Sequence, residues 1–431
     1  MRKEPFCLLA KRFVFLLLVI IVFAFINVIV HIVLKGWGIH YPFFKTLYNV
    51  FDSTVYAADK LLFKTGYKLN SHTGVPTDSL FSVIFLTLNM LMILLVAMVW
   101  TIVDRNKSNA SLRMHNYYIR IREVVRIVLA IVMFHYGIIK LFLLQMPANS
   151  IDQLLTPLGF FNRQELMWAF IGTSKGFQFF LGLSECIAGI LLLFRKTILL
   201  GILCSFTITI NVCIMNFSYD VPARMLACLL MTMIVFLVTP YIKILYAFFI
   251  QGRTAQVISP AVALKDAGYQ KFQRLIVVLV FFIFGMDTFF SISKLHPTPD
   301  YASCSIYQAQ TFITGKDGLH ETGIEKDPWN LLIFKPSKMV SVIRAKGDRS
   351  DFKYEVDSVA NTLSLFRHAY YNDSIPLHVY SMNMLPGKEV ILNAANDSVS
   401  IRLKFIPSSV FDFEINSKKK WTDKLPVYSV K

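Results

Sequence analysis

The sequence predicts a multi-pass α-helical membrane protein that ends in an antiparallel β domain. Of its 431 residues, 55% are hydrophobic, and the mean hydropathy is +0.54. Both values are too high for a soluble protein of this size, which places the chain in the membrane class. From Trp329 onward, apolar residues recur at every second position, which is the period of β-strands.

Seven apolar runs are long enough to cross a bilayer, which requires about 20 residues. Backbone polar groups in lipid must be hydrogen-bonded within the segment, so these runs are predicted to be helices. The first run follows the basic segment "MRKEPFCLLAKR". It is too long for a signal-peptide core and no small-residue cleavage site follows it, so we expect a retained helix. The predicted spans are residues 13–34, 79–103, 124–145, 169–194, 197–217, 223–249 and 274–293.

The net charge of +17 lies mainly in the connections between these runs. Residues 1–295 carry 27 Lys and Arg against 12 Asp and Glu, whereas residues 296–431 carry 17 against 15. Cations in short connections are typical of the cytoplasmic side of a membrane protein. We therefore expect the bilayer, and no nucleic acid, as the partner of this charge. With seven spans, the N-terminus is predicted to be cytoplasmic and the C-terminal domain to lie outside.

The β domain is predicted to begin after the proline-rich boundary "HPTPD". Short alternating segments from "WNLLIFK" to "SVSIRLKF" are separated by turn sequences such as "KGDRS", "NDS" and "LPGK". Seven or eight such strands favour either a small barrel or a sandwich. The domain is expected to lie outside the membrane, tethered to the seventh helix.

Ionisable residues inside the spans are candidate functional groups, since charge in a bilayer is costly. At 1.5 Å per helical residue, His135 lies about 14 Å and Glu185 about 15 Å from the cytoplasmic ends of their spans. The two side chains are thus predicted to lie at similar depth and to be able to pair. Lys140, nearer the outer end, is expected to extend toward the headgroups.

Further polar residues fall at helical spacing. Ser174, Gln178 and Glu185 are predicted to share one stripe of the fourth span, and Tyr136 lies one turn from Lys140. Two interpretations are open: one polar core that opens outward, or separate packing contacts between helices. The remaining members of this proposed core are Asn211 with Thr207 on the fifth span, and Asp287 on the seventh.

The stretch "NFSYDVPAR" links the fifth and sixth spans and holds Asn216. Pro222 cannot continue a helix but can begin one. Asp220 is therefore predicted to cap the sixth helix and to pair with Arg224. A capped re-entry turn explains the stretch, and the alternative is a polar mouth above the core.

Three segments resemble the DoxX-type membrane proteins, more closely a longer bacterial subgroup. They are "MFHYGIIKLFLLQM", "LMWAFIGTSKGFQFFLGLSECIAGILLLFRKTILLG" and "NVCIMNFSYDVPARML". The resemblance covers roughly residues 120–250. The chain departs from the subgroup at "HTGVPTD" and at "INSKKKWTDKLP", so no site is carried over at either place.

This resemblance implies a DoxX-like four-helix core in a bacterial inner membrane. It divides the chain into N-terminal helices (1–122), the core (123–250), a cytoplasmic loop with the last span (251–295) and the periplasmic β domain (296–431). The family takes its name from a membrane subunit of a thiosulfate:quinone oxidoreductase, so quinone is the cofactor it suggests.

Three functions are compatible with the sequence. The first is an accessory subunit that binds a small or lipophilic ligand in its helices and a protein partner through the β domain. The second is a quinone-linked oxidoreductase subunit, with Glu185 or His135 as proton donor. The third is a transporter. No catalytic residue is assigned, and none of the six cysteines has the spacing of a metal site.

Overall fold

A computed structural model of the protein describes residues 4–36, 52–67, 69, 78–105, 107, 109–253, 304–314, 329–366, 376–394 and 399–407, with single positions at 275, 282 and 285. The chain forms two compact units. The first comprises Met1–Gln145 and Lys175–Leu295, and the second comprises Met146–Ser174 and His296–Lys431. The membrane helices belong to the first unit. The β domain belongs to the second, together with the segment that precedes Lys175.

The helices are named in chain order. They are α1 Glu4–Gly36, α2 Leu80–Val103, α3 Ala110–Leu141, α4 Ile151–Leu155, α5 Arg163–Thr173, α6 Lys175–Leu193, α7 Ile198–Ser218, α8 Arg224–Val238 and α9 Ile242–Phe249. Short turns of other helical types cover Asp59–Phe63, Leu158–Phe160 and Thr239–Tyr241.

Within the described residues, six helical stretches are long and apolar enough to cross a membrane. They confirm six of the predicted spans, and the seventh, 274–293, lies outside the described residues apart from isolated positions. The fourth begins later than predicted, because Ser174 interrupts the helix between α5 and α6. The six stretches are Phe6–Asn27, Leu80–Val103, Ala110–Leu141, Lys175–Leu193, Ile198–Ser218 and Arg224–Phe249.

The first unit has one continuous apolar core, to which α1, α3, α6, α7 and α8 contribute. Its centre is fully enclosed: Leu129, Leu192, Ile202 and Met233 have no exposed surface. Because lipid tails are as apolar as these side chains, close van der Waals packing, rather than water exclusion, holds such helices together.

The second unit contains a closed barrel of antiparallel strands in which each strand pairs with the next and the last pairs with the first. This confirms the predicted β domain and decides for a barrel over a sandwich. The strands are β1 Ser305–Thr314, β2 Trp329–Phe334, β3 Met339–Arg344, β4 Arg349–Asp357, β5 Thr362–Phe366, β6 His378–Leu385, β7 Glu389–Ala394 and β8 Val399–Ile406.

The barrel interior is filled by the apolar residues of the alternating pattern. On β8, for example, Val399, Ile401 and Leu403 are buried, while Arg402 and Lys404 between and beyond them are exposed. Inward side chains from all eight strands form one cluster, as expected of a barrel of this size.

Strand β1 was not among the predicted strands, and it is the strand that closes the barrel. It pairs with β2 on one side, where Tyr307 faces Leu332, and with β8 on the other, where Tyr307 faces Phe405. The middle of the strand, "QAQT", lacks the apolar alternation that identified the other strands.

Strands β1 to β3 are also buried on the outer face of the barrel. Ile306, Ile333 and Ile343 lie there and pack around Ile151 of α4, with 2% exposure or less. The barrel is therefore held by the connection between α3 and α6, in addition to the predicted tether to the seventh span.

Candidate functional site

The candidate site lies between α3 and α6, which approach to backbone contact. A Cβ atom on Gly137 would lie 2.8 Å from the carbonyl oxygen of Gly182, and one on Gly182 would lie 2.7 Å from that of Gly137. Seven residues further along α6, about two helical turns, a Cβ on Gly189 would meet the Ala130 oxygen at 2.8 Å. Small residues at such spacing let membrane helices pack tightly, so these glycines set the geometry of the site.

Lys140 of α3 and Glu185 of α6 form an ion pair at this contact. The Nζ atom of Lys140 lies 2.7 Å from both carboxylate oxygens of Glu185. The side chains are only 8% and 6% exposed. The expectation that Lys140 extends toward the headgroups was wrong, because its position near the helix end did not show that it faces α6.

Aromatic rings lie beside the pair. The Nζ atom of Lys140 lies 5.6 Å from the centre of the Tyr136 ring, within the range of a cation–π contact. His135 meets Tyr136 edge-to-face at 5.6 Å. The structure thus brings together four of the predicted site residues, with Lys140 as the cation on Glu185. Gln178, 1% exposed, is buried on α6 two turns before Glu185.

This arrangement places both signs of charge between two helices that are long and apolar enough to cross a membrane. An unpaired carboxylate or ammonium there would be costly, and the bidentate contact reduces that cost without removing it. The pair can exchange a proton, bind the polar group of a ligand in place of its partner, or simply hold two helices together.

A second buried ion pair on α3 has an evident structural role. Arg126 contacts Glu123 at 2.8 Å and donates from Nη1 to the carbonyl oxygens of Leu192 and Leu193. These carbonyls lie at the C-terminus of α6, where no helical N–H is available to them. Arg126 therefore caps α6, whereas the Lys140–Glu185 pair satisfies no helix end.

The turn before α8 is organised differently from the prediction. Asp220 has φ +53° and follows Tyr219, the C-cap residue of α7, so it ends α7 rather than capping α8. The prediction that Asp220 caps α8 was wrong. Its ion pair with Arg224 is long, at 3.5 Å, and the Asp220 side chain is 55% exposed.

Asp78, from the segment before α2, caps α8 instead. Its carboxylate accepts hydrogen bonds from the backbone N–H of Arg224 and Met225 and from the Arg224 side chain, at 2.7–3.1 Å. Burial would raise the pKa of Asp78, but these hydrogen bonds outweigh it and hold the pKa below its usual value. Asp78 is the final residue of the segment "HTGVPTD", and no local sequence pattern indicates its partners.

The other predicted residues lie apart from the Lys140 cluster. Asn216 is buried and donates to the Ala223 carbonyl within the turn before α8. Asn211 and Thr207 are exposed, while Ser205 and Thr209 on the same helix are buried, so the predicted stripe on α7 faces away from the core. The placement of Asn211 in a polar core was therefore wrong.

Ser174 and Asp287 are the two remaining residues of the predicted polar core. Ser174 ends α5 and precedes α6, so it does not share a helical stripe with Gln178 and Glu185 as predicted. Asp287 lies outside the described residues. Within the part of the chain that the structure describes, no three His, Cys, Asp or Glu side chains are grouped as metal ligands.

One buried cluster was missed. Arg12 of α1 has no exposed surface and donates to Asp104 at 2.9 Å, and the Trp100 Nε1–H donates to the same carboxylate oxygen. Lys107 and Arg113 lie 2.8 and 3.2 Å from Asp104. The hydrogen bond from Lys107 leads the contacts that hold the pKa of Asp104 below its usual value. The sequence feature that could have revealed this cluster is Asp104, a single acid in a connection that otherwise carries cations.

Comparison with known proteins gives a short local similarity. The chain is 32% identical over 68 residues to the uncharacterized protein YwoB of Bacillus subtilis (strain 168). The matched stretch covers 16% of this chain and 44% of YwoB, so it spans less than half the length of that relative. No family model and no solved structure matches the chain. The resemblance to DoxX-type proteins stays a prediction.

Proposed function

We propose that this multi-pass membrane protein is an accessory subunit that holds a small polar or lipophilic ligand beside the Lys140–Glu185 pair. The observation that carries the proposal is the pair itself: a bidentate 2.7 Å contact between opposite charges, both buried, on two membrane-spanning helices.

The pair is not needed to hold its two helices together. Gly137, Gly182 and Gly189 already bring α3 and α6 into backbone contact on either side of it. Removing two charges from water costs several kcal/mol per ion, and apolar residues of similar volume often stabilise a protein equally well. Because a buried ion pair carries this cost, its presence makes it a candidate for a function. Ionisable groups inside a membrane are treated as candidate functional groups for the same reason.

The neighbouring groups suit a ligand with a polar end. Tyr136 offers a ring and a hydroxyl, and Lys140 and Glu185 offer a donor and an acceptor of full charge. A carbonyl or hydroxyl group of a ligand can exchange with either partner of the ion pair, while its apolar part lies among the helices. A quinone has both features, and so does a lipid headgroup with its chains.

The span count and the charge distribution of the sequence support a barrel on the outer side. Six candidate spans lie in the described residues, and the apolar run 274–293 is the predicted seventh. With seven spans and the cationic N-terminus in the cytoplasm, the barrel is periplasmic, where it can contact a protein partner.

Extraction of the purified protein tests the proposal. The monodisperse protein in mild detergent is analysed by mass spectrometry for bound quinones, lipids and other small molecules. We expect one species at near-stoichiometric amount in the wild type and at least tenfold less in Glu185→Gln. Glu123→Gln, which removes the acid of the structural pair on the same helix, serves as the matched control and should retain it.

Equal retention in Glu185→Gln and the wild type, or no stoichiometric species in either, contradicts the proposal. A quinone as the retained species would favour the oxidoreductase subunit over an accessory role in other processes.

A further inference from the structure

A second polar site lies at the opposite end of α3. A cavity of about 590 Å³ is bounded by α1 and the first turns of α3. Its volume is within the range of small-ligand sites. It is lined by Lys11, Ser111, Leu112, His115, Tyr118, Ile119 and Arg122.

The lining is cationic, and none of the described residues that form it is an acid. The acids nearby are already engaged: Asp104 contacts Arg12, Lys107 and Arg113, and Glu123 contacts Arg126. Within the described residues, neither Lys11 nor Arg122 lies within ion-pair distance of a carboxylate. The cavity therefore presents positive charge that the described part of the chain does not neutralise.

Arg122 is held in a fixed position at this cavity. Its guanidinium lies 5.3 Å from the centre of the Phe236 ring, a stacking distance that orients the planar group. Its Nε–H is buried and has no hydrogen-bond partner among the described residues. Tyr118 also contacts Phe236 edge-to-face, and its hydroxyl donates to the Lys11 carbonyl, which joins α1 to α3 at the cavity wall.

The position of the cavity corresponds to the headgroup layer of a bilayer. Helix α3 has 32 residues, or about 48 Å, against about 30 Å of hydrocarbon. The excess lies at its polar N-terminal end, "ASLRMHNYYIRIR". Trp100 and Tyr117 lie at this end in mutual ring contact, as is typical of a membrane–water interface. Leu112 and Ile119 add an apolar flank beside the cations.

We propose that this cavity binds the phosphate-bearing headgroup of an anionic phospholipid from the leaflet on its side of the membrane. Lys11 and Arg122 contact the phosphate, His115 and Ser111 face the polar headgroup, and the acyl chains follow Leu112 and Ile119 into the bilayer. Basic pockets between membrane helices are a known mode of headgroup recognition. This site is independent of the Lys140–Glu185 pair and of the function proposed for it.

Native mass spectrometry of the full chain tests this proposal. The protein is delipidated, incubated with phosphatidylglycerol or with phosphatidylcholine, and the retained lipid is counted. We expect one tightly held phosphatidylglycerol and no equivalent phosphatidylcholine. Arg122→Gln and Lys11→Gln should each reduce phosphatidylglycerol retention at least tenfold, and Arg122→Lys should restore part of it.

The matched control is Arg120→Gln, which removes the same charge from an exposed position on the same helix outside the cavity. Equal loss in Arg120→Gln and Arg122→Gln overturns the proposal, as does equal retention of both lipids. If Arg122→Gln does not fold, the exposed Lys11 carries the test alone. Displacement of phosphatidylglycerol by millimolar inorganic phosphate would show a site for soluble anions and overturn the lipid assignment.

Discussion

Asp78 caps a helix whose first residue, Arg224, lies 146 positions further along the chain. The two oxygens of Asp78 accept from the backbone N–H groups of Arg224 and Met225, and the Arg224 Nε–H donates at 2.7 Å. Because Asp78 lies two residues before the first residue of α2, this contact joins the beginnings of α2 and α8. A single carboxylate thus satisfies one helix terminus and neutralises the cation beside it.

Replacing Asp78 should destabilise the helix bundle. Asp78→Ala removes a helix cap, which typically contributes about 1 kcal/mol, and leaves Arg224 without its short ion pair. We expect a loss of about 1–2 kcal/mol in thermal unfolding in detergent. Asp220→Asn is the control, since its 3.5 Å contact with Arg224 is exposed and should contribute little. Equal effects of the two changes would argue against the cap.

The contribution of Asp78 should depend on pH. Its pKa in the folded protein is lowered, so its ionised form stabilises the fold above the unfolded-state pKa of about 4. That contribution is lost as the pH falls through the lower folded-state value. The stability difference between wild type and Asp78→Asn should therefore be constant near neutrality and shrink below about pH 4. A difference that grows on acidification would contradict this sign.

Asp152 should hold the α3–α6 connection to the barrel. It is 5% exposed at its side chain and lies 2.8 Å from Lys335 and 3.3 Å from Arg349. Burial would raise the pKa of Asp152, but the charge of Lys335 and its hydrogen bond outweigh burial and lower it. Asp152→Ala removes the carboxylate that Lys335 contacts, while Arg349 keeps its contacts with Glu165 and Asp351. We expect a local loss of about 2 kcal/mol.

Hydrogen exchange in the intact protein measures that change. Amides of α4 should exchange at least tenfold faster in Asp152→Ala than in the wild type, while those of α7 should not change. Glu389→Gln, which removes the acid of a partly exposed 3.9 Å pair in the same barrel, is the control. Unchanged exchange in α4 would mean that Ile151 and its apolar neighbours hold the connection without the charges.

Because α3 packs closely on α6, the cost of replacing a glycine by alanine should depend strongly on its position along α6. A Cβ at Gly182 would lie 2.7 Å from two backbone atoms of α3, whereas one at Gly176 would meet nothing within 4 Å. Gly182→Ala should therefore cost about 1–3 kcal/mol of stability. Gly176→Ala should be neutral or slightly stabilising, because alanine favours the helix. Thermal unfolding of both variants compares them directly, and similar midpoints would contradict the described contact.

Local periodicity explains why most of the architecture could be predicted. An apolar run of about 20 residues identifies a membrane helix, and alternation identifies a half-buried strand, since both depend only on nearby residues. Strand β1 was not predicted because its middle lacks that alternation. Its assignment depends on its partners β2 and β8, which lie far along the chain.

The site was harder to predict for the same reason. Depth along a helix placed Glu185 and His135 at one level, but depth does not show which way a side chain faces. Lys140 faces Glu185, and Asn211 faces away from the core. The partner of Arg224 was taken as Asp220 because it is near in sequence, whereas the effective carboxylate is Asp78. Such long-range pairs are set by tertiary packing and leave no local pattern.

We propose that the Lys140–Glu185 pair serves a ligand and is not a packing device. The most direct measurement compares ligand retention and thermal stability in Lys140→Met, Glu185→Leu and the double variant. Each single change leaves one buried charge unpaired and should cost about 3–5 kcal/mol, and the double change should restore most of that stability. We expect the restored double variant to have lost the co-purified ligand. A double variant that is as stable as the wild type and still retains the ligand would contradict it.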